Sequence, residues 1–380
     1  MTSNLTDIRK SVSNSTEPQS ACLQIAEYTI FTVIFLISVA GNILVCLVIL
    51  KTPRMRTTRN YLLVNLAVSD LTMSLLCIPF DVALKITSPL WPLGSIMCNI
   101  LWPAMTLVTN CSAATLAAIS LDRYRAVVHP WKPRFTSFQT SVIIVVTWSV
   151  SFMLVLPYAL VLKIQNGYCA EDWPHPVAVK AYTVGLFIFQ YALPLLIITF
   201  AYTMVGRKLR HQAARIARNR YASGVLVVGY SSMKSNCQQN AMSEVYSVSS
   251  PSVARVFEFK NTFSDPAKRE LVPLKFEKTP CDKKEMKRLE RNTKIMKMLV
   301  MVVLLYAICL LPNQVVWLWY EFGNLQNWPH FGKLLTFGSI MVYINSCVNP
   351  LLYAGMNEDF RKGFCRILRC RWKPPFMTRV

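Results

Sequence analysis

Charge is what this chain has little of. Only 16% of its 380 residues are Asp, Glu, Lys or Arg, against about 25% in an ordinary soluble protein. Apolar residues make up 53%, and the mean hydropathy is positive. Water-soluble domains, two or three of which this length would otherwise suggest, do not read this way. The missing charge implies a surface that faces lipid. Histidine is scarce too, with four in the chain. No nucleophile–base pair and no metal-ligand spacing is visible, so the chain does not read as an enzyme. No internal repeat appears and only one acid lies centrally in an apolar stretch, which disfavours a transporter or channel.

What is there is a set of seven apolar stretches, near 26–50, 61–85, 97–121, 139–162, 179–205, 295–320 and 333–354. Crossing a bilayer takes about 20 apolar residues as a helix. A membrane barrel would need shorter alternating runs. The first run, Leu23 to Leu50, is too long for a cleaved signal, so the first span is expected to double as the targeting signal. Pro79, Pro103, Pro157, Pro194, Pro312 and Pro350 fall inside spans. Each would cost about 3 kcal/mol mid-helix in water, but in a bundle neighbouring groups re-satisfy the freed carbonyls.

The net charge of +22 invites a nucleic-acid reading that the positions remove. Of 41 Lys and Arg, 35 fall in residues 51–60, 123–137, 207–297 and the tail after 355, which alternate with the spans on one side. The other side holds six: Arg9, Lys10, Lys85, Lys163, Lys180 and Lys333. The basic side is expected to be cytosolic and to attract anionic lipid headgroups. The amino terminus is then extracellular and the carboxyl terminus cytoplasmic. Sequons at Asn4 and Asn14 agree with a glycosylated outer tail, whereas the one at Asn110 lies within a span.

Residues 1–25 read as that tail, 26–206 as spans one to five, and 207–290 as a long, basic, largely disordered cytoplasmic loop. Its Ser243–Ser252 region offers hydroxyls to a kinase. Residues 291–355 hold spans six and seven, and 371–380 a short tail. Cys98 and Cys169 both face the oxidising side, where a disulfide is expected. Cys365 and Cys370 sit among basic residues after the last span, a setting for palmitoylation.

Two polar features inside the membrane stand out. Asp70 lies near the middle of span two, where an acid costs at least about 2.5 kcal/mol and needs partners. Asn42, Ser112, Asn345, Ser346 and Asn349 lie at matching depth. These oxygen ligands suit water and a small monovalent cation, or a plain hydrogen-bonded structural acid. At the cytosolic end of span three stands Asp122-Arg123-Tyr124, an adjacent pair able to exchange partners.

The ordered set Gly41-Asn42, Asp70, Trp91-x-x-Gly94, Cys98, Asp122-Arg123-Tyr124, Trp148, Pro157, Cys169, Pro194, Tyr202, Cys309-x-x-Pro312 and Asn349-Pro350-x-x-Tyr353 resembles the rhodopsin-like G protein-coupled receptors over about residues 26–370. The resemblance implies an all-α seven-transmembrane-helix bundle in the plasma membrane. It implies an agonist between the outer halves of the helices and an outward swing of span six. Arg123 would leave Asp122 and meet Tyr202 and Tyr353, opening a cleft for a heterotrimeric G protein; receptor kinases and arrestin would follow. Asp70, Ser112, Asn345, Ser346 and Asn349 would hold sodium and water in the resting state. Residues 356–370 resemble the family's short amphipathic helix, with Phe360 and Phe364 sharing its buried face.

The chain departs from the pattern. Leu310 stands where the family has Trp, Tyr306 where Phe is common, and Asn292 where some members have an acid that pairs with Arg123. The lost restraint is expected to raise basal activity. Tyr343 stands where light receptors have a lysine, and Met105 where amine receptors have an aspartate. Trp91-Pro92-Leu93-Gly94 and Leu121 to Pro130 are most similar to neuropeptide receptors. Glu27, Asp81, Glu171, Asp172 and Glu321 lie at the mouth with Trp91, Trp102, Trp173, Trp319 and Tyr320. Acids with aromatics suit a peptide carrying an Arg and an aromatic residue, or are simply solvated surface groups. Deeper candidate contacts are Met105, Thr106, Leu310 and Gln314. The alternatives are a receptor-like protein with another small ligand, or one with constitutive or absent G protein signalling. The last residues, Thr378 to Val380, resemble a PDZ ligand.

Overall fold

The computed structural model describes residues 21–87, 91–133, 135–235, 257–259, 271–273, 280–323, 325 and 328–369. The chain divides into two compact units, residues 1–206 with 294–380, and residues 207–293. Among the described residues seven helices are long and apolar enough to cross a membrane: α1 (Cys22–Lys51), α2 (Thr58–Ile86), α3 (Gly94–Val128), α4 (Ser137–Val161), α5 (Pro176–Arg218), α6 (Glu285–Phe322) and α7 (Phe331–Met356). A shorter helix follows, α8 (Glu358–Leu368). The expected seven-helix bundle with an amphipathic eighth is the observed fold.

The bundle in the first unit turns apolar side chains outward and gathers a set of buried polar groups within its apolar core. Leu36, Val145, Met153 and Leu196 are more than half exposed, whereas Ser38, Asn42, Ser69, Asp70 and Ser74 are almost fully covered. That arrangement is what a hydrocarbon solvent selects. In their most apolar stretches α3 is 61% buried and α4 17%, so α3 is central and α4 peripheral. Local chemistry sets the starts. Thr57 accepts a hydrogen bond from the Asn60 backbone, and Thr136 with Gln139 forms a reciprocal capping box.

Two prolines reshape their helices. α2 passes through a π-turn at Met73–Cys77 and α5 through one at Ile188–Ala192. Each precedes a proline, Pro79 or Pro194. The carbonyls four residues before them, of Leu75 and Gln190, lack their usual N–H donor, and the wider turn relieves the clash with the ring.

The helices overrun the expected boundaries. The helix of α5 continues to Ser235 and that of α6 begins at Pro280, so the expected loop 207–290 is helical at both ends. Residues 207–219 contain neither Gly nor Pro and are rich in Arg and Ala, both strong helix formers. In this second unit Arg215 and Glu285 form an ion pair at 3.0 Å, and Phe257–Phe259 pairs antiparallel with Leu271–Pro273. Asn4, Asn14, Ser243–Ser252, Cys370 and Thr378–Val380 lie outside the described residues.

A hairpin between α4 and α5 also departs from the helical reading. Strands β1 (Leu162–Gln165) and β2 (Tyr168–Glu171) pair antiparallel. Asn166 and Gly167 both have positive φ, 50° and 80°, the conformation that tight two-residue hairpins require. The Asn-Gly pair was the available sequence signal. α8 starts at Asn357, whose side chain accepts from the Asp359 backbone. Phe360 and Phe364 turn inward, 1% and 9% exposed, as their spacing predicts.

Candidate functional site

The hairpin is fixed to the head of α3 and the segment before it. Cys98 at the head of α3 is bonded to Cys169 on β2, with Cα atoms 5.6 Å apart. The Trp91 backbone donates to the Gly167 carbonyl at 2.8 Å, and its indole N–H donates to the Gly94 carbonyl. Trp91 and Trp102 pack with ring centroids 6.3 Å apart. The expected disulfide is present.

The five mouth acids differ once their neighbours are placed. Glu27 forms an ion pair with Lys85, which also donates to Thr336 at 2.8 Å and lies over the Phe31 ring. Asp172 pairs with Lys163 at 2.8 Å on an exposed edge. Asp81 accepts from the Tyr343 hydroxyl at 3.2 Å. Glu171, at the end of β2, accepts from the Trp173 indole at 2.6 Å. Its carboxyl is pushed up from the ordinary 4.5 to about 7, chiefly by burial, with the Trp173 bond opposing the rise and the Glu321 carboxylate adding to it. Glu321 is thus within electrostatic reach of it. Trp173 packs on Tyr182 at 5.1 Å, and Tyr182 stacks on Tyr158 at 5.9 Å. Lys180 sits near Glu321 and over Phe322.

The deeper candidates lie in different surroundings. The Thr106 hydroxyl returns to the Trp102 carbonyl of its own helix. Met105 packs against the cluster of Phe31, Val108 and Tyr343. Leu310 is 1% exposed and belongs to the main core with Ile198, Val302 and Tyr306. Gln314 is buried and donates to the Gln190 side chain at 2.8 Å. Gln190 was not singled out in the sequence. A single glutamine in an apolar run carried no signal there. Trp319 is exposed and packs on Trp328, and Tyr320 is buried against Phe331.

Mid-membrane, Asp70 is fully buried and accepts from the Asn349 amide at 2.9 Å, with Ser346 within hydrogen-bonding reach. Asn42 and Ser38 both donate to the Ser346 carbonyl, at 2.9 and 3.2 Å. Ser74 donates to Ser38 at 2.6 Å. Polar groups of α1, α2 and α7 are thus one connected network. Ser112 and Asn345 are buried as well.

At the opposite end of α3, the Asp122 carboxylate is 4.0 Å from the Arg59 guanidinium of α2, a partner the sequence did not indicate because it lies 63 residues away. Arg123 is within electrostatic reach of Tyr202. The Tyr124 hydroxyl is 3.3 Å from His129. Tyr353 is buried and stacks on Phe360 of α8 at 5.2 Å, which joins the Asn349-Pro350-x-x-Tyr353 segment to the terminal helix. Cys365 is exposed on α8.

Comparison with known proteins agrees with this geometry. The family model described as 7 transmembrane receptor (rhodopsin family) matches residues 41–353. Neuropeptide FF receptor 2 of Mus musculus is 26% identical over 92% of this chain and 73% of its own length. The RYamide receptor of Tribolium castaneum is 27% identical over 92% of this chain and 87% of its own. Galanin receptor type 1 of Rattus norvegicus is 27% identical over 90% and 82%.

Proposed function

This chain belongs to the rhodopsin family of seven-transmembrane, G protein-coupled receptors, and on that premise we propose that its outer cavity binds a short basic peptide. The relatives named for peptides support this reading. The observation that carries it is the buried Glu171 carboxylate beside Trp173 and Tyr182, with Glu321 within electrostatic reach. A buried carboxylate favours a cation beside it. A guanidinium bonds a carboxylate and stacks on an aromatic face. Glu27 and Asp172 are already matched by lysines and Lys180 sits near Glu321, so Glu171 on the hairpin is the acid this reading assigns to the cationic end of the ligand. Asp81, which accepts from Tyr343, offers a second acceptor.

The ligand acts from the extracellular face of the plasma membrane, with Asn4 and Asn14 glycosylated on that side. On the cytosolic face Arg123, Tyr202 and Tyr353 form the contact with the heterotrimeric G protein, and receptor kinases and arrestin act afterwards. Asp70, Ser112, Asn345, Ser346 and Asn349 hold sodium and water in the resting state. Cys365 and Cys370 carry palmitate, and Thr378–Val380 engages a PDZ domain. The test is a screen of Arg- and aromatic-containing peptides on cells co-expressing a promiscuous G protein. Hits should lose at least tenfold potency on E171Q or E321Q receptors, in line with about 1.5–3 kcal/mol for a charged hydrogen bond. Unchanged potency on both variants overturns the peptide site.

A further inference from the structure

Three hydrogen bonds cross from one turn of α5 to α6. The Tyr306 hydroxyl donates to the Gln190 backbone carbonyl. The Gln314 amide donates to the Gln190 side-chain carbonyl at 2.8 Å. The Tyr191 hydroxyl donates to the Ala307 carbonyl at 3.1 Å. They bracket Pro312, with Tyr306 and Ala307 on its inner side and Gln314 on its outer side.

The sequence explains why the acceptor is there. Pro194 has no N–H to give the Gln190 carbonyl four residues before it. The π-turn keeps α5 continuous, with Leu193 donating to Ile188, and the Gln190 oxygen is presented sideways to a partner helix. A buried carbonyl without a donor is costly, and Tyr306 supplies the donor. Phe at position 306 could not, and Leu310 has nothing to donate. Tyr306, Gln190 and Gln314 are 0%, 7% and 6% exposed, so a bond broken here is not readily replaced by water.

We propose that these bonds are a clasp that holds α6 against α5 in the resting receptor, and that activation requires it to open. It stands in for the restraint lost at Leu310 and Asn292. Gln190, Tyr191, Tyr306 and Gln314 are positioning residues in this scheme, acting on the hinge at Pro312. The proposal rests on the receptor reading above for its output, and its own test is independent of that output.

The test uses full-length receptor in membranes or nanodiscs with no ligand. Two variants divide the clasp: Y306F removes one hydroxyl, and Q190L with Q314L removes the side-chain pair without orphaning either amide. An environment-sensitive fluorophore on K297C, in a background lacking Cys365 and Cys370, reports movement of α6. Each variant should shift the ligand-free fluorophore signal. Each should also raise ligand-free nucleotide exchange on purified G protein about threefold to tenfold, the scale set by one or two buried hydrogen bonds. A fluorophore signal identical to wild type in every variant that folds overturns the clasp. A shifted signal with no exchange in any form, wild type included, keeps the clasp and overturns the coupling. If Y306F does not fold, the double leucine variant decides.

Discussion

Glu171 is the group whose titration separates the outer site from ordinary surface acids. Its carboxyl is held at about 7 rather than the ordinary 4.5, first by burial and then by repulsion from Glu321, with the Trp173 indole offsetting part of the rise. The sign follows from linkage. Between those values the folded receptor keeps a proton that the unfolded chain has already released. The stability associated with Glu171 is therefore fully present below about pH 4.5 and is lost as pH rises through 7. The gap corresponds to about 3 kcal/mol, at about 1.4 kcal/mol per tenfold change in proton concentration. E171Q removes the titration, so wild type should lose thermal stability relative to E171Q between pH 5 and pH 8. Binding should run the opposite way. A cationic peptide needs the ionised form, so its apparent affinity should rise about tenfold from pH 6 to pH 8 if the midpoint is about 7. The assay is thermal unfolding of purified receptor in nanodiscs across pH, paired with binding of a basic peptide from the screen. Wild type and E171Q with parallel stability profiles refute the reasoning. So does a binding profile that is flat in both.

Other perturbations test the packing. A methyl at Gly41 would stand 2.7 Å from Pro350 Cβ, so G41A should cost about 1–3 kcal/mol by forcing α1 and α7 apart, read as a lower unfolding temperature. A methyl at Gly363 meets Val48 at 2.5 Å; G363A should destabilise the docking of α8, and V48A in the same chain should restore it in a double-mutant cycle. Restoring the family residue with L310W should lower folded yield rather than improve signalling, because Leu310 is already 1% exposed in the core and overpacking costs about 1–3 kcal/mol. The exposed pair Lys294–Glu358, at 3.8 Å, should contribute under about 1 kcal/mol; E358Q should change ligand-free exchange less than fivefold, and less again at high salt.

The spans, their order and the polar centre were legible because hydropathy and the cost of a buried acid are properties of the residues themselves. Asp70 announced that it needed partners, and Asn349 is one. The disulfide was legible from compartment. The fates of the mouth acids were not. Glu27, Asp172 and Glu171 look alike in the sequence, and only proximity separates two that are matched by lysines from one that is held by the Trp173 indole. Arg59 beside Asp122 was hidden for the same reason. The hairpin was present in Asn166-Gly167 but was overshadowed by the apolar run before it. The ends of α5 and α6 were misjudged because a basic, polar composition reads as loop, although Arg, Lys, Gln and Ala favour helix. Tyr306 and Leu310 were visible as departures, but their meaning depended on the carbonyl that Pro194 leaves open.

The two π-turns have a consequence for how such a chain tolerates change. Each inserts extra backbone between the two halves of a helix. Deleting one residue within Met73–Cys77 would turn every residue beyond it, Asp81 and Lys85 included, by about 100° about the helix axis. Asp70 and the half before the turn would stay where they are. The Asp81 half of α2, and likewise one half of α5, can thus be re-aimed in a single step without disturbing the other. The two ends of the bundle are served by separately adjustable halves of the same helix.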